Sequence, residues 1–194
     1  MVEIRIHGRG GQGVVTAADM LAYAAFAEGR HAQSFPSFGS ERTGAPVVSF
    51  CRIRDDVIRT REPVLNPDLL IVQDPTVIAV VDVFAGLTDE AYVIVNTEKN
   101  VEDAGLSEIA RKLPEGHVIT VPATDIAREH TGKPIPNAVL LGASAALAHL
   151  YKLESVSDAI RKRFPGKVGE MNVEAAQVAY DYVIELKKGE SANA

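Results

Sequence analysis

Cysteine is almost absent. One residue in 194, Cys51, excludes an internal disulfide and a self-contained iron–sulfur cluster, which needs several thiolates. Positive charge is also scarce: the formal net charge is −6 and there is no basic run, which argues against nucleic acid as a partner. No apolar stretch is long enough to span a bilayer, so no membrane segment is expected. The first residues read directly as a strand, with no signal peptide pattern, and the expected location is cytoplasmic. Repeats and linkers are lacking too. Length and a hydrophobic fraction of 46% fit one globular domain, taken as residues 1–188, with 189–194 a disordered tail.

The informative residues are concentrated at the start. Val2 to Ile6 predicts a strand, and Gly8, Gly10 and Gly13 come after it in a G-x-G-x-x-G spacing with Gly11 as an extra glycine. A helix is predicted from Gln12 to Glu28, with Val14, Ala18, Leu21 and Ala25 on one buried face. A glycine turn that opens a helix lets an anion approach the free N–H groups of the first turn. Gly8, Arg9, Gly10, Gly11, Gln12 and Gly13 are therefore candidate cofactor-binding residues. The competing reading is a tight strand-to-helix turn with nothing bound. A dinucleotide site also wants an acidic residue about 20 residues on, at the end of the second strand. That strand is predicted over His31 to Phe35, and Gln33 to Phe38 holds no carboxylate, which disfavours NAD.

Phe38, Gly39, Ser40, Glu41, Arg42 and Thr43 form a second loop, before a strand from Val47 to Ile53. Glu41 and Arg42 read either as a solvated pair or as groups that hold an anionic ligand or a partner chain. Further on, Leu69 to Val72, Ala91 to Val95 and Val118 to Val121 predict strands buried on both faces. Asp74 and Pro75 predict an N-cap and first helical position for a helix through Phe84. Helices are also predicted at Leu106 to Leu113, Ala123 to Glu129 and Ala138 to Leu150, the last apolar all round. Ser155 reads as the start of a capping box for Ala159 to Phe164, and Asn172 as the cap of a helix from Val173 to Lys187. His117 and His130 have no partner at ligand spacing and read as surface residues. No catalytic residue and no metal site is expected. The alternation of strands and helices predicts an α/β fold: a Rossmann-like, mostly parallel sheet with helices on both faces.

The stretches His7 to Gly13 and Phe35 to Val47 resemble the gamma subunit of 2-oxoacid:ferredoxin oxidoreductases, most closely the pyruvate synthase type. Pro136 to Ala138, Phe164 to Lys167 and Met171 to Asn172 match the same family's C-terminal pattern, so the resemblance covers nearly the whole chain. Ser40 and Thr43 stand where many relatives carry Pro and Arg. The resemblance implies a β-hairpin over Arg52 to Pro63, containing a short strand at Val57 to Arg59, with Cys51 a core strand residue. It implies a reaction in which pyruvate, coenzyme A and oxidised ferredoxin give acetyl-coenzyme A, CO₂ and reduced ferredoxin. The chain lacks the Gly-Asp-Gly and downstream Asn of a thiamine diphosphate site. The resemblance therefore implies thiamine diphosphate and iron–sulfur clusters on partner subunits of alpha, beta and delta type, with ferredoxin reached through the complex. The chain itself would bind no cofactor firmly and would be inactive alone. Its glycine turn would contact coenzyme A, and Phe38 to Thr43 would face the active site or an interface. In isolation a homodimer is expected, through surfaces meant for partners. Two alternatives stay open: a stand-alone nucleotide-binding module, and a subunit of an enzyme specific for 2-oxoisovalerate.

Overall fold

The computed structural model describes residues 1–37 and 43–192, with side chains through residue 189. It contains six strands: β1 (Val2–Arg9), β2 (His31–Pro36), β3 (Pro46–Arg54), β4 (Leu69–Val72), β5 (Tyr92–Asn96) and β6 (Val118–Val121). The helices are α1 (Val14–Ala27), α2 (Ser107–Lys112), α3 (Ala123–Thr131), α4 (Asn137–Ala148), α5 (Leu153–Arg163) and α6 (Lys167–Ala192). One sheet holds all six strands in the order β2-β3-β1-β4-β5-β6. β1, β4, β5 and β6 run parallel, while β3 is antiparallel to both β1 and β2. Helices and loops cover both faces of β4 and β5, which is why Leu69–Val72 and residues 93–95 read as unbroken apolar runs.

The two covers are unequal. Ile4, Ile6, Leu69, Ile71 and Ile94 point to a face packed by α1, α3, α4, α5 and α6. Leu70, Val72, Val93 and Val95 point to the other face, closed by a 3-10 turn at Pro75–Ala79, α2 and connecting loops. Helix α4 is buried along its whole length, so no polar stripe is seen in its sequence. It lies against α6 at Gly142, where a Cβ would overlap the backbone carbonyl of Ala176.

Several local expectations are corrected. β1 continues to Arg9, since it pairs with β3 as far as Arg9↔Pro46, and α1 accordingly starts at Val14, not Gln12. The hairpin is made by β2 and β3, not by Arg52 to Pro63. Residues 57–64 form no strand; they lie along the sheet, held where the Arg52 guanidinium donates to the carbonyls of Glu62 (2.6 Å) and Pro63 (3.3 Å). Asp74 does cap, accepting from Thr76 N at 2.9 Å, but it caps only the 3-10 turn; the β-branched run beyond makes no long helix. Ser155 is inside α5, which begins at Leu153, and Asn172 is inside α6, donating to Val168 O at 2.8 Å. The backbone of α6 stays helical beyond Gly189 to Ala192. His117 is half-buried rather than on the surface, stacked on Tyr92 with ring centroids 4.0 Å apart. His130 is half-buried as well, with Nδ1 3.7 Å from a Glu174 carboxylate oxygen.

Candidate functional site

The glycines of the first turn have two distinct reasons. Gly11 and Gly13 sit at φ +93° and +73°, a left-handed conformation that costs an L side chain about 1–2 kcal/mol. Gly8 and Gly13 are also crowded. A Cβ on Gly8 would lie 2.7 Å from Val14 Cγ2, and one on Gly13 would lie 2.5 Å from Asn137 Nδ2. The motif is thus dictated as much by close packing of β1, α1 and the start of α4 as by any ligand.

Arg9 and Gln12 hold the turn in place. Gln12 Oε1 accepts from Arg9 N at 2.8 Å, and Gln12 Nε2 donates to Asp74 Oδ2 at 2.7 Å. Arg9 Nε donates to Thr76 Oγ1 at 2.7 Å and lies 3.6 Å from Asp74; its Nη1 donates to Gly44 O at 2.9 Å. Partial burial opposes charge on Asp74. Hydrogen bonds from Thr76 and Gln12, with the nearby Arg9 cation, outweigh it and hold the carboxyl below its ordinary range. Backbone bonds complete the link: Gly10 N donates to Ala45 O (2.9 Å) and Gly44 N to Gly10 O (3.1 Å). The two loops singled out in the sequence therefore sit side by side at Thr43 to Ala45. Phe38, Gly39, Ser40, Glu41 and Arg42 lie outside the described residues.

Helix α1 starts without compensation. It has no acidic residue in its first turn and no side-chain cap, and the N–H groups of Gly13, Val14, Val15 and Thr16 find no acceptor among the described residues. Such an end attracts an anion or a partner's carbonyl or carboxylate groups.

Beside the turn, the carboxyl ends of β1, β4, β5 and β6 open into a cavity of about 540 Å³. Open α/β sheets place ligands at such strand ends. Asn96, the last residue of β5, clamps it: Nδ2 donates to Gln73 O and Thr124 Oγ1, both at 2.7 Å, and Oδ1 accepts from Thr124 N at 3.1 Å. Gln73, one residue past β4, is 1% exposed, yet neither atom of its carboxamide has a partner. Sequence reasoning missed Gln73, Asn96, Thr124 and Asn137. For Gln73, Asn96 and Thr124 the usable signal was a polar residue at or within three residues of the end of a buried strand; Asn137, at the start of α4, has no such signal. Cys51 is fully buried in β3, and burial pushes its thiol up to about 12, so it is a core residue and not a thiolate at neutral pH. Among the described residues no group of three or more His, Cys, Asp or Glu side chains is placed to hold a metal ion, and no helix is long and apolar enough to cross a membrane.

The family model for pyruvate ferredoxin/flavodoxin oxidoreductase matches residues 3–182. The gamma subunit common to the pyruvate and ketoisovalerate oxidoreductases of Thermococcus kodakarensis is 50% identical over 184 residues, spanning 95% of this chain and 98% of that one. A pyruvate synthase subunit PorC of Methanothermobacter thermautotrophicus is 46% identical, covering 96% of this chain and 98% of its own. The crystal structure of the pyruvate oxidoreductase subunit PORC of Thermotoga maritima superposes with a TM-score of 0.78 at 36% identity, over 93% of this chain and 95% of that one. These likenesses run through the glycine turn, the sheet and the helical layer alike, and they do not favour a free-standing nucleotide-binding module. The chain belongs to the pyruvate ferredoxin/flavodoxin oxidoreductase family, as a gamma-type subunit of a 2-oxoacid-oxidising enzyme complex.

Proposed function

We propose that this subunit serves a pyruvate-type enzyme and borders its coenzyme A and substrate site, with thiamine diphosphate and the iron–sulfur clusters carried by alpha-, beta- and delta-type partners. The observation that carries the reading is the tie between the two loops. Arg9 bridges Asp74, Thr76 and Gly44, so the glycine turn and the root of the Phe38–Thr43 loop form one edge. The uncompensated start of α1 opens next to that edge and suits a phosphate or carboxylate group. Cofactor placement on partners fits the residues here. The only thiol of the chain is wholly buried and protonated, which leaves no ligand set for a cluster.

In this arrangement the chain performs no bond-making step. Thiamine diphosphate on a partner supplies the electron sink for decarboxylation. This chain positions the acyl acceptor: the α1 N–H groups orient an anionic group, and Arg42 supplies a cation from the second loop. Gly11 and Gly13 keep side chains away from the approach. The closed turn, its donors already spent on Gln12, Ala45 and Asp74, holds that edge rigid while coenzyme A enters and leaves.

The test is Arg42→Ala in the assembled enzyme. Losing a charge-assisted hydrogen bond to an anion costs about 1.5–3 kcal/mol, so the Michaelis constant for coenzyme A should rise roughly 10- to 100-fold with subunit composition unchanged. An intact complex with unaltered coenzyme A kinetics would exclude the contact and leave both loops as interface alone. A panel of 2-oxoacids on the same preparation separates pyruvate from 2-oxoisovalerate.

A further inference from the structure

The two edges of the sheet are finished differently. At the β2 edge, Ser37 N donates to Val48 O at 3.0 Å, so odd-numbered residues face β3 and even-numbered ones face outward. One of the outward residues is Pro36, which has no N–H to offer. At the β6 edge, Val93 N donates to His117 O (2.8 Å) and Thr97 N to Val121 O (2.9 Å). With Val95 opposite Thr120, this alternation turns Ile119 toward β5, and the main-chain N–H and C=O groups of Val118 and Thr120 away from it. None of these outward groups has a hydrogen-bond partner among the described residues, and no proline or charge blunts the strand between Val118 and Val121. Yet Val118 and Thr120 are only 6% and 8% exposed. Main chain so enclosed is normally paired.

A groove of about 370 Å³ runs along this edge, lined by Val118, Ile119 and Thr120. Tyr182 and Leu186 of α6 wall it on one side, and residues 98–102 on the other. Val183 of α6 packs on one face of the sheet and Val101 on the opposite face, so the edge is recessed between two walls. Val178, Tyr182 and Leu186 follow at four-residue spacing and form an apolar row, of which Val178 and Tyr182 are exposed.

We infer that β6 receives an extended segment of a partner subunit, which joins the sheet as a seventh strand. An extended chain presents a donor and an acceptor at every second residue, matching the outward groups of Val118 and Thr120; a helix has already spent its own. Alternate side chains of the segment lie on Tyr182 and Leu186 and are apolar. Those between them face the exposed Lys99 and Glu102 and are polar. A second copy of this chain does not fit. Two β6 edges, each recessed between the same walls, cannot come within the roughly 4.8 Å that a strand ladder requires. A β2 edge arrives with α1 packed beside it, too broad for the groove. The inference needs only that the chain be a subunit. β4 and β5 separate this edge from β1 and the glycine turn, so it does not depend on the coenzyme A contact.

Hydrogen exchange, read residue by residue on the isolated chain and on the purified complex, tests the pairing. The amides of Val118 and Thr120 should exchange readily in the isolated chain and roughly 100-fold more slowly in the complex, while that of Ile119 stays slow in both. Ready exchange of Val118 and Thr120 in the complex overturns the pairing. So does protection already present in the isolated chain: protection lost on dilution would mean a second copy, and protection kept on dilution would mean residues of the chain itself. The second test is Thr120→Pro, whose ring removes one outward donor and fills the edge while leaving the ladder with β5 whole. The dissociation constant of this subunit from the complex should rise roughly 10-fold, whereas Thr120→Val, which keeps the main chain, should assemble as the wild type does. Wild-type assembly of Thr120→Pro, or equal losses in the two variants, overturns the assignment. If circular dichroism shows Thr120→Pro unfolded, Tyr182→Ser on the exposed wall replaces it. A roughly 5-fold loss is then expected, and no loss overturns the assignment.

Discussion

Gly142→Ala will destabilise the chain by about 3 kcal/mol, a large fraction of the total stability of a domain this size. Alanine is normally the better helix residue, by about 1 kcal/mol over glycine. Here the sign reverses, because a Cβ at 142 meets the main chain of Ala176, and main chain cannot rotate away. Helices α4 and α6 would have to separate, and α4 is buried on every side. The small residues Ala175, Ala176 and Ala179 on α6 are fully buried against this layer, so relief by repacking is not available. Gly189→Ala is the matched control. It lies on α6 with open space around the added Cβ, and the same substitution should raise stability by about 0.5–1 kcal/mol. Urea unfolding measured by circular dichroism reads both. Equal effects at the two sites would refute the close-contact account.

Acid should weaken the fold well above the range where carboxylates titrate. His7 is 7% exposed, its Nε2 has no partner, and burial, with a smaller contribution from the neighbouring Arg5 cation, lowers it to about 4 from an ordinary 6.5. Arg5 cannot move away, since its guanidinium donates to the carbonyls of Val83 (2.9 Å) and Ala85 (2.6 Å) and reaches those of Val64 and Leu65. Above pH 6.5 neither the folded nor the unfolded state carries the His7 proton. Between pH 6.5 and about 4 only the unfolded chain binds it, so stability falls as pH falls, and below about 4 the loss levels off. The interval corresponds to about 3 kcal/mol. Asp74 acts lower still: its depressed carboxyl contributes stability that is lost as pH drops through its folded value. His7→Leu should flatten the stability profile between pH 6.5 and 4 and leave the Asp74 region unchanged. A profile with the same slope in the variant would place the acid sensitivity elsewhere.

The parallel half of the sheet was legible because its strands are buried on both faces. Leu69 to Val72 is a continuous apolar run and Val118 to Val121 is broken only by Thr120, and the limits of both agree with the structure to the residue. Helix α1 was legible for the same reason, through a repeating buried face. The segment after β3 was not. Residues 57–64 are held by side chains of other elements, Arg52 and Arg5, and no local pattern announces a segment fastened from outside. Asp74 announced a cap correctly, but a cap does not set the length of the helix it opens, and a β-branched run settled into a 3-10 turn. At the site, the glycines were found by spacing, whereas their crowding against Asn137 and Gln73 depends on elements more than 60 residues away. Arg9 and Gln12 stood out as ligand contacts, yet in the structure they fasten the turn itself. Gln73 carries no motif, and only its burial without a partner draws notice.

The most direct test of the subunit's role is a native, anaerobic purification of this chain from its own cells. The eluate is assayed for reduction of a viologen dye that depends on both 2-oxoacid and coenzyme A. The account predicts co-elution with chains that carry thiamine diphosphate and iron–sulfur clusters, and activity with pyruvate that disappears when coenzyme A is withheld. A chain that elutes alone and inert, with the oxidoreductase activity intact in the flow-through, would contradict it.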